Sequence, residues 1–212
     1  MTRLYLADTG PLCDQEVYGR LYENASPERR AKADSFKFLK DRRLSIAAAA
    51  LLDSGLSVFG LREKDMEYGF NEYGKPFFLN APEVHFSLSH SGTKVAVAFS
   101  DSEVGCDIEQ IEDIEMDVAK NFFHPEEYAF VLCQASEQER LDAFYRIWTL
   151  KESYMKATGK GMSLSPVAFS VFQDLDLDFL APDSFEGYKC AVCGKNLCCP
   201  LDVRISDFTS RL

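Results

Sequence analysis

Two carboxylates, Asp107 and Glu109, stand one residue apart in the stretch Glu103-Val-Gly-Cys-Asp-Ile-Glu109. Side chains of an extended chain alternate faces, so both carboxylates point one way while Ile108 points the other way, into a core. Like charges at that spacing repel unless they are solvated or share a cation. Hard carboxylate oxygens suit Mg2+, which takes one or two carboxylates and completes its shell with water and phosphate oxygens. Gly105 offers a place where a backbone or ligand can come close. A solvent-facing pair on an edge strand is the plain alternative, and this stretch alone leaves both open.

A second chemical stretch is Trp148-Thr-Leu-Lys-Glu-Ser-Tyr-Met-Lys156. It falls in a helical pattern predicted over residues 137–158, with Gly159 as the stop. Leu141, Phe144, Trp148 and Met155 recur at helical spacing. Glu152 takes a slot of that stripe where an apolar residue is expected, and an inward carboxylate is costly unless it is paired or binds a metal. Lys156 follows Glu152 by four residues on the same face. An ordinary surface pair is the alternative, and the Trp148 neighbour speaks against it.

The elements that must position these groups read as follows. Strands are predicted at residues 2–7, 84–90, 94–99 and 103–109, the last two as a hairpin across Ser100-Asp101-Ser102. Ser89, His90 and Ser91 cluster polar groups where the second of these strands runs into a loop. Helices are predicted at 14–23, from Ser26-Pro27 onward, at 44–56, 117–123 and 125–133. A basic run, Arg29, Arg30, Lys32, Lys37, Lys40, Arg42 and Arg43, makes a positive island that serves either as a solvated helix face or as an anion site. Asn71-Glu-Tyr-Gly-Lys-Pro76 is turn chemistry that holds Lys75 on a constrained loop. Residues 111–117 form an acidic linker, and short strands are expected at 167–172, 175–179, 188–193 and 201–205. Thr158-Gly-Lys-Gly161 lacks the phosphate-loop pattern. Cys190-Ala-Val-Cys193 and Cys198-Cys199 do not follow a usual zinc spacing, and Cys190 and Cys193 would project to opposite faces of a strand.

The two chemical stretches together resemble the 4'-phosphopantetheinyl transferase family, whose signature is G-x-D-x-E followed about forty residues later by W-[ST]-x-K-E-[SA]-x-x-K. Every defining position is filled, from Gly105, Asp107 and Glu109 to Trp148, Thr149, Lys151, Glu152, Ser153 and Lys156. Ser26-Pro-Glu-Arg-Arg-Ala-Lys32, Glu72-Tyr-Gly-Lys-Pro76 and Phe86-Ser-Leu-Ser-His-Ser-Gly92 are similar to the longer, surfactin-synthetase-activating (Sfp-type) branch. The resemblance implies an α+β fold of two similar α/β halves related by a pseudo-twofold, expected at 1–110 and 111–212. It implies transfer of the phosphopantetheine arm of coenzyme A to a serine of an acyl or peptidyl carrier protein, with release of 3',5'-ADP.

By the same resemblance Asp107, Glu109 and Glu152 hold Mg2+, Lys156 supplies positive charge, and Glu152 is the first choice of base, ahead of Glu109. Arg29, Ser45, Lys75, Ser89 and His90 match positions that bind the nucleotide and its 3'-phosphate. Arg43 joins them in a less secure register, and Glu127 stands where the family often has a further active-site Glu. A Mg2+-dependent nucleotide phosphohydrolase and a non-catalytic module that binds CoA or a carrier protein are the competing functions. The expected partners are carrier domains of peptide, polyketide or fatty-acid synthases, docking near Met116, Lys120, Phe122 and Phe123.

The chain has 212 residues and a net charge of -11, which argues against a nucleic-acid binder. No apolar run is long enough for a membrane span, and the stretch Met1-Thr-Arg-Leu-Tyr-Leu alternates like a strand and lacks the apolar core expected of a signal peptide. Its seven cysteines read as reduced thiols. A cytoplasmic monomer is expected.

Overall fold

The apolar run Leu4-Tyr-Leu-Ala7 makes β1 (Arg3–Asp8) a strand buried on both faces. In the computed structural model, which describes residues 2–182, 184–199 and 201–209, β1 pairs antiparallel with β5 (Lys94–Ser100) and parallel with β9 (Asp202–Ser206). β4 (His85–Ser91) joins the other edge of β5, giving a sheet of order β4-β5-β1-β9. A second sheet has β8 (Tyr188–Gly194) between β6 (Val104–Gln110) and β7 (Asp178–Leu180). A small hairpin joins β2 (Tyr68–Phe70) and β3 (Pro76–Phe78).

Three helices, α1 (Gln15–Asn24), α2 (Pro27–Ser35) and α3 (Leu39–Leu56), belong to the core on one face of the first sheet, with Tyr5, Val95, Val97 and Phe99. Strand alternation sends Leu4, Leu6, Ala96 and Ala98 to the opposite face, against Cys106, Ile108 and Val192 of the second sheet. The long helix α6 (Glu137–Ala157) packs on β6 and β8. Beyond it, α4 (Asp117–Phe122) and α5 (Pro125–Leu132) close a third core around Phe123, Val131, Phe144 and Ile147. The fold is therefore α+β. The expected division at residue 110 falls at the end of β6, and two pairings cross it, β6 with β8 and β1 with β9.

Local chemistry sets the helix ends. The Ser26 hydroxyl accepts from the Arg29 amide (3.2 Å), with Pro27 at the first helical position. Ser136 and Glu139 close a capping box on α6, and Gly159, at φ +69°, ends that helix.

Five expectations are corrected. The hairpin of 94–99 with 103–109 does not form, because β4 and β1 occupy both edges of β5 and the chain crosses to the second sheet. Ser89, His90 and Ser91 lie within β4, whose hairpin turns at Gly92 and Thr93. Residues 167–172 are not a strand. A 3-10 turn (Pro166–Ala168) leads into a segment whose Phe169 carbonyl and Val171 amide are satisfied by the Lys151 and Glu127 side chains instead of a ladder. The strand expected at 175–179 is confined to β7, and α3 starts five residues earlier than its apolar pattern.

Candidate active site

Gly105 sets the distance between α6 and β6. A Cβ at this position would overlap the Ser153 carbonyl oxygen and the Ala157 amide nitrogen. Only glycine lets the helix backbone lie this close to the strand. Buried Ser153 and Ala157 face β6, and Trp148, Glu152 and Lys156 follow on successive turns along the rim, each half-buried. Glu152 thus borders the buried stripe instead of filling it. Trp148 fixes this end of the helix through ring contacts to Phe122 (5.5 Å) and Phe144 (6.0 Å).

Asp107 is 1% exposed. Its Oδ1 accepts from the Ser89 hydroxyl (2.7 Å) and from Lys156 Nζ (2.6 Å), and Lys156 Nζ also donates to Ser89 Oγ (3.0 Å). Its Oδ2 is buried and has no hydrogen-bond partner. Burial lifts the pKa of Glu109. The Ser91 hydroxyl opposes that rise, and the charge on Asp107 adds to it. Burial also lifts Glu152, with Lys156 opposing and Asp107 adding. For Lys156, burial pulls the ammonium down, but its contacts with Asp107 outweigh that and the net shift is upward. Three neighbouring carboxylates and one ammonium leave excess negative charge around an orphaned carboxylate oxygen. That donor set fits a hard divalent cation. As the side chains stand, no three acidic, histidine or cysteine groups among the described residues already converge on one ion position.

Beside this cluster lies a cavity of about 740 Å³, walled by α2, the β2–β3 hairpin, β4 and the end of α6. Arg29, Lys32, Lys75 and Lys156 line it, alongside the apolar surfaces of Met66, Phe70 and Met155. A recess of about 90 Å³ shares Arg29 and Lys32 and adds Ser45 and His90. Ser45 Oγ is buried there without a partner. Lys32 is pulled down by burial and by Arg29. His90 is pulled down by partial burial of its ring, although the residue as a whole is exposed, and then by Lys156 and Lys32. Mutually repelling cations around an unsatisfied hydroxyl make a phosphate-sized anion a fitting occupant.

The other expected binding residues divide. Arg29 faces the cavity but is held from behind by buried Glu63 (3.5 Å) and lies over the Tyr68 ring (4.9 Å). Glu63 also accepts from the Ser26 amide and hydroxyl and from Tyr68. Lys75 donates to Glu103 (2.6 Å) and to the Val104 and Ala157 carbonyls, so it ties its loop to β6 and α6 while lining the cavity. Arg43 lines neither cavity, and its charge acts on Tyr18 of α1. Glu127 does not join the carboxylate cluster. It is fully buried, pairs with Lys151 (2.7 and 2.9 Å) and accepts from the His124 and Val171 amides. Phe123 is core, Phe122 and Met116 are half-buried, and Lys120 is exposed. Cys190 and Cys193 are both buried, and all seven thiols are unpaired.

Lys32 and Glu63 were not singled out from the sequence as site residues. Lys32 sat in the basic run, three residues from Arg29 and therefore on its face. Glu63 gave no local signal, since its partners are tens of residues away. The sequence model of the 4'-phosphopantetheinyl transferase superfamily matches residues 103–197. The Bacillus subtilis (strain 168) protein named 4'-phosphopantetheinyl transferase Sfp is 34% identical over 212 residues, covering 93% of this chain and 94% of its own length. This chain belongs to the 4'-phosphopantetheinyl transferase superfamily. Two further members support the assignment. The transferase gsp of Aneurinibacillus migulanus is 33% identical, covering 85% of this chain and 80% of its own. The transferase AcpT of Salmonella typhimurium is 37% identical, covering 70% and 71%. In this transferase the family match takes in Asp107, Glu109, Glu152 and Lys156, while the basic recess lies N-terminal to it.

Proposed function

We propose that this chain transfers the 4'-phosphopantetheine arm of coenzyme A to a serine hydroxyl of an acyl or peptidyl carrier protein, releasing 3',5'-ADP. The observation that carries the reading is buried Asp107, with Oδ1 bound by Ser89 and Lys156 and Oδ2 left free, at the edge of a cation-lined cavity. Asp107, Glu109 and Glu152 are the residues that would hold Mg2+, which when bound supplies charge stabilisation to pyrophosphate oxygens. The small recess takes the 3'-phosphate through Arg29, Lys32, Ser45 and His90. Lys75 and Lys156 face the rest of the nucleotide and the pyrophosphate.

Glu152, ahead of Glu109, takes the proton of the carrier serine, directly or, as suits a carboxylate that also holds the metal, through one water. The serine oxygen then bonds to the phosphorus that bears pantetheine. The bond from that phosphorus to the bridging oxygen breaks, and its electron pair leaves with 3',5'-ADP. Lys156 offsets charge that builds on the phosphate oxygens. The expected halves, 1–110 and 111–212, both supply the site, which supports a reading as a monomer. Unpaired thiols support a cytoplasmic setting. Among the described residues no helix is long and apolar enough to cross a membrane.

Incubating the chain with CoA, Mg2+ and an apo carrier domain tests this by intact mass. The reading expects the carrier to gain one phosphopantetheine with stoichiometric 3',5'-ADP. Cleavage of CoA with no change in carrier mass would instead identify a phosphohydrolase.

A further inference from the structure

We infer, on the reading of the small recess as the 3'-phosphate site, that Glu63 is a positioning residue. It aims the Arg29 guanidinium at that phosphate and so sets the preference for CoA over a nucleotide that lacks the group. Glu63 opens a 3-10 turn (Glu63–Asp65) between α3 and the β2–β3 hairpin, and it is 1% exposed. Its amide donates to Asp53 Oδ1 of α3 (2.9 Å), which fixes the turn.

A buried carboxylate needs partners for both oxygens, and Glu63 finds them on two walls of the cavity. Oε2 accepts from the Ser26 amide (2.9 Å) at the cap of α2. Oε1 accepts from the Ser26 hydroxyl (2.9 Å) and from the Tyr68 hydroxyl of β2 (2.9 Å). Arg29 Nε lies 3.5 Å from the same Oε1, and Arg29 Cζ lies 4.9 Å from the centre of the Tyr68 ring. The guanidinium is therefore held on its Nε edge by the carboxylate and on one face by a ring that the carboxylate orients. A planar fork held this way presents its remaining donors in one direction. Arg29 lines both the cavity and the recess, whereas Glu63 and Ser26 line neither. A bound nucleotide thus meets the fork from the front and does not compete for the contacts behind it.

Two effects of Glu63 oppose each other. Its negative charge offsets part of the Arg29 charge, so by Coulomb's law alone its removal would strengthen phosphate binding. Loss of the fixed geometry works the other way. A released arginine must be ordered again at each binding event, and a bidentate grip on phosphate depends on the plane of the fork. The geometric effect dominates, because a contact at hydrogen-bond range weakens steeply with angle as well as distance.

The test is calorimetric binding of CoA and of dephospho-CoA, which lacks the 3'-phosphate, to the full chain without carrier. The wild type should bind CoA more tightly. In Glu63→Gln the Kd for CoA should rise about tenfold, the worth of one charge-assisted contact, while that for dephospho-CoA holds. Tm should fall as well, because glutamine cannot accept at both positions. The ratio of the two affinities is the readout that a loss of stability alone does not move. Arg29→Ala should erase the preference, and adding Glu63→Gln to it should weaken CoA no further. Tighter or unchanged CoA binding in Glu63→Gln, equal weakening of both ligands, or additive losses in the double variant overturns the inference. Should Glu63→Gln not fold, Glu63→Asp carries the same test, since it keeps the charge and withdraws it from Arg29. Equal affinity of the wild type for the two ligands is a separate failure. It removes the 3'-phosphate from the recess, and the positioning role with it.

Discussion

Lys151 and Glu152 are adjacent in sequence, yet the structure gives them opposite work, and Lys151→Met should expose the difference. The Lys151 side chain is 2% exposed and that of Glu127 is 0% exposed. Nζ gives two hydrogen bonds to the Glu127 carboxylate and one to the Phe169 carbonyl (2.7 Å). Glu127 in turn fixes the Val171 and His124 amides. Methionine fills most of the lysine volume but leaves Glu127 charged, buried and short of its cation. Removing one partner of a buried ion pair costs about 3–5 kcal/mol. For a chain of this length, where each kcal/mol moves Tm by about 2–4 °C, that is a fall of roughly 6–20 °C. Differential scanning calorimetry measures it. Adding Glu127→Gln to Lys151→Met should recover part of the loss, since the uncompensated charge is gone. Below the new Tm, Mn2+ affinity and the KM for CoA should match wild type, because neither side chain reaches the carboxylate cluster. A Tm unchanged within a degree or two, or abolished metal binding in a folded Lys151→Met, would refute the structural assignment.

His90 carries a pH signature. Its pKa is depressed in the free protein, and a phosphate in the recess would raise it. Binding of CoA should then take up a proton, so affinity rises as pH falls through the raised value and levels off below the depressed one. Calorimetric titration across pH 5–8 checks this, and a slope that persists in His90→Gln assigns the linkage elsewhere. Ser45→Ala removes a buried hydroxyl that has no partner, so it should raise the KM for CoA while leaving kcat and Tm unchanged or Tm slightly higher. Gly105→Ala drives a methyl into the α6 backbone and should cost at least about 1–3 kcal/mol together with most activity, measured by Tm and transfer rate.

Much of the site was legible because it rests on local periodicity. Asp107 and Glu109 share a face by strand alternation, and Glu152 and Lys156 share one by helical spacing. Gly105 was readable as a point of close approach, and α6 supplies the approaching backbone. Non-local pairing was not legible. Nothing in residues 94–109 signals that β1 has already taken the second edge of β5, so the hairpin expected there was the wrong neighbour choice. The role of Glu127 was hidden for the same reason. Its environment is built from Lys151, Phe169 and Val171, which only the packed structure gathers. Ser-Leu-Ser-His-Ser did contain a usable signal, because alternate serines on a strand must share a face. Taking the end of that stretch for a loop concealed it.

The most direct test of the account is transfer by Asp107→Asn, a substitution that keeps the shape of the side chain and removes its charge. Intact mass of an apo carrier domain is followed over time with saturating CoA and Mg2+, beside the wild type, after calorimetry has shown the variant folded. The account predicts phosphopantetheinylation of the carrier by the wild type and none by the folded variant, with CoA still bound through the basic recess. Transfer at the wild-type rate by the folded variant would contradict it.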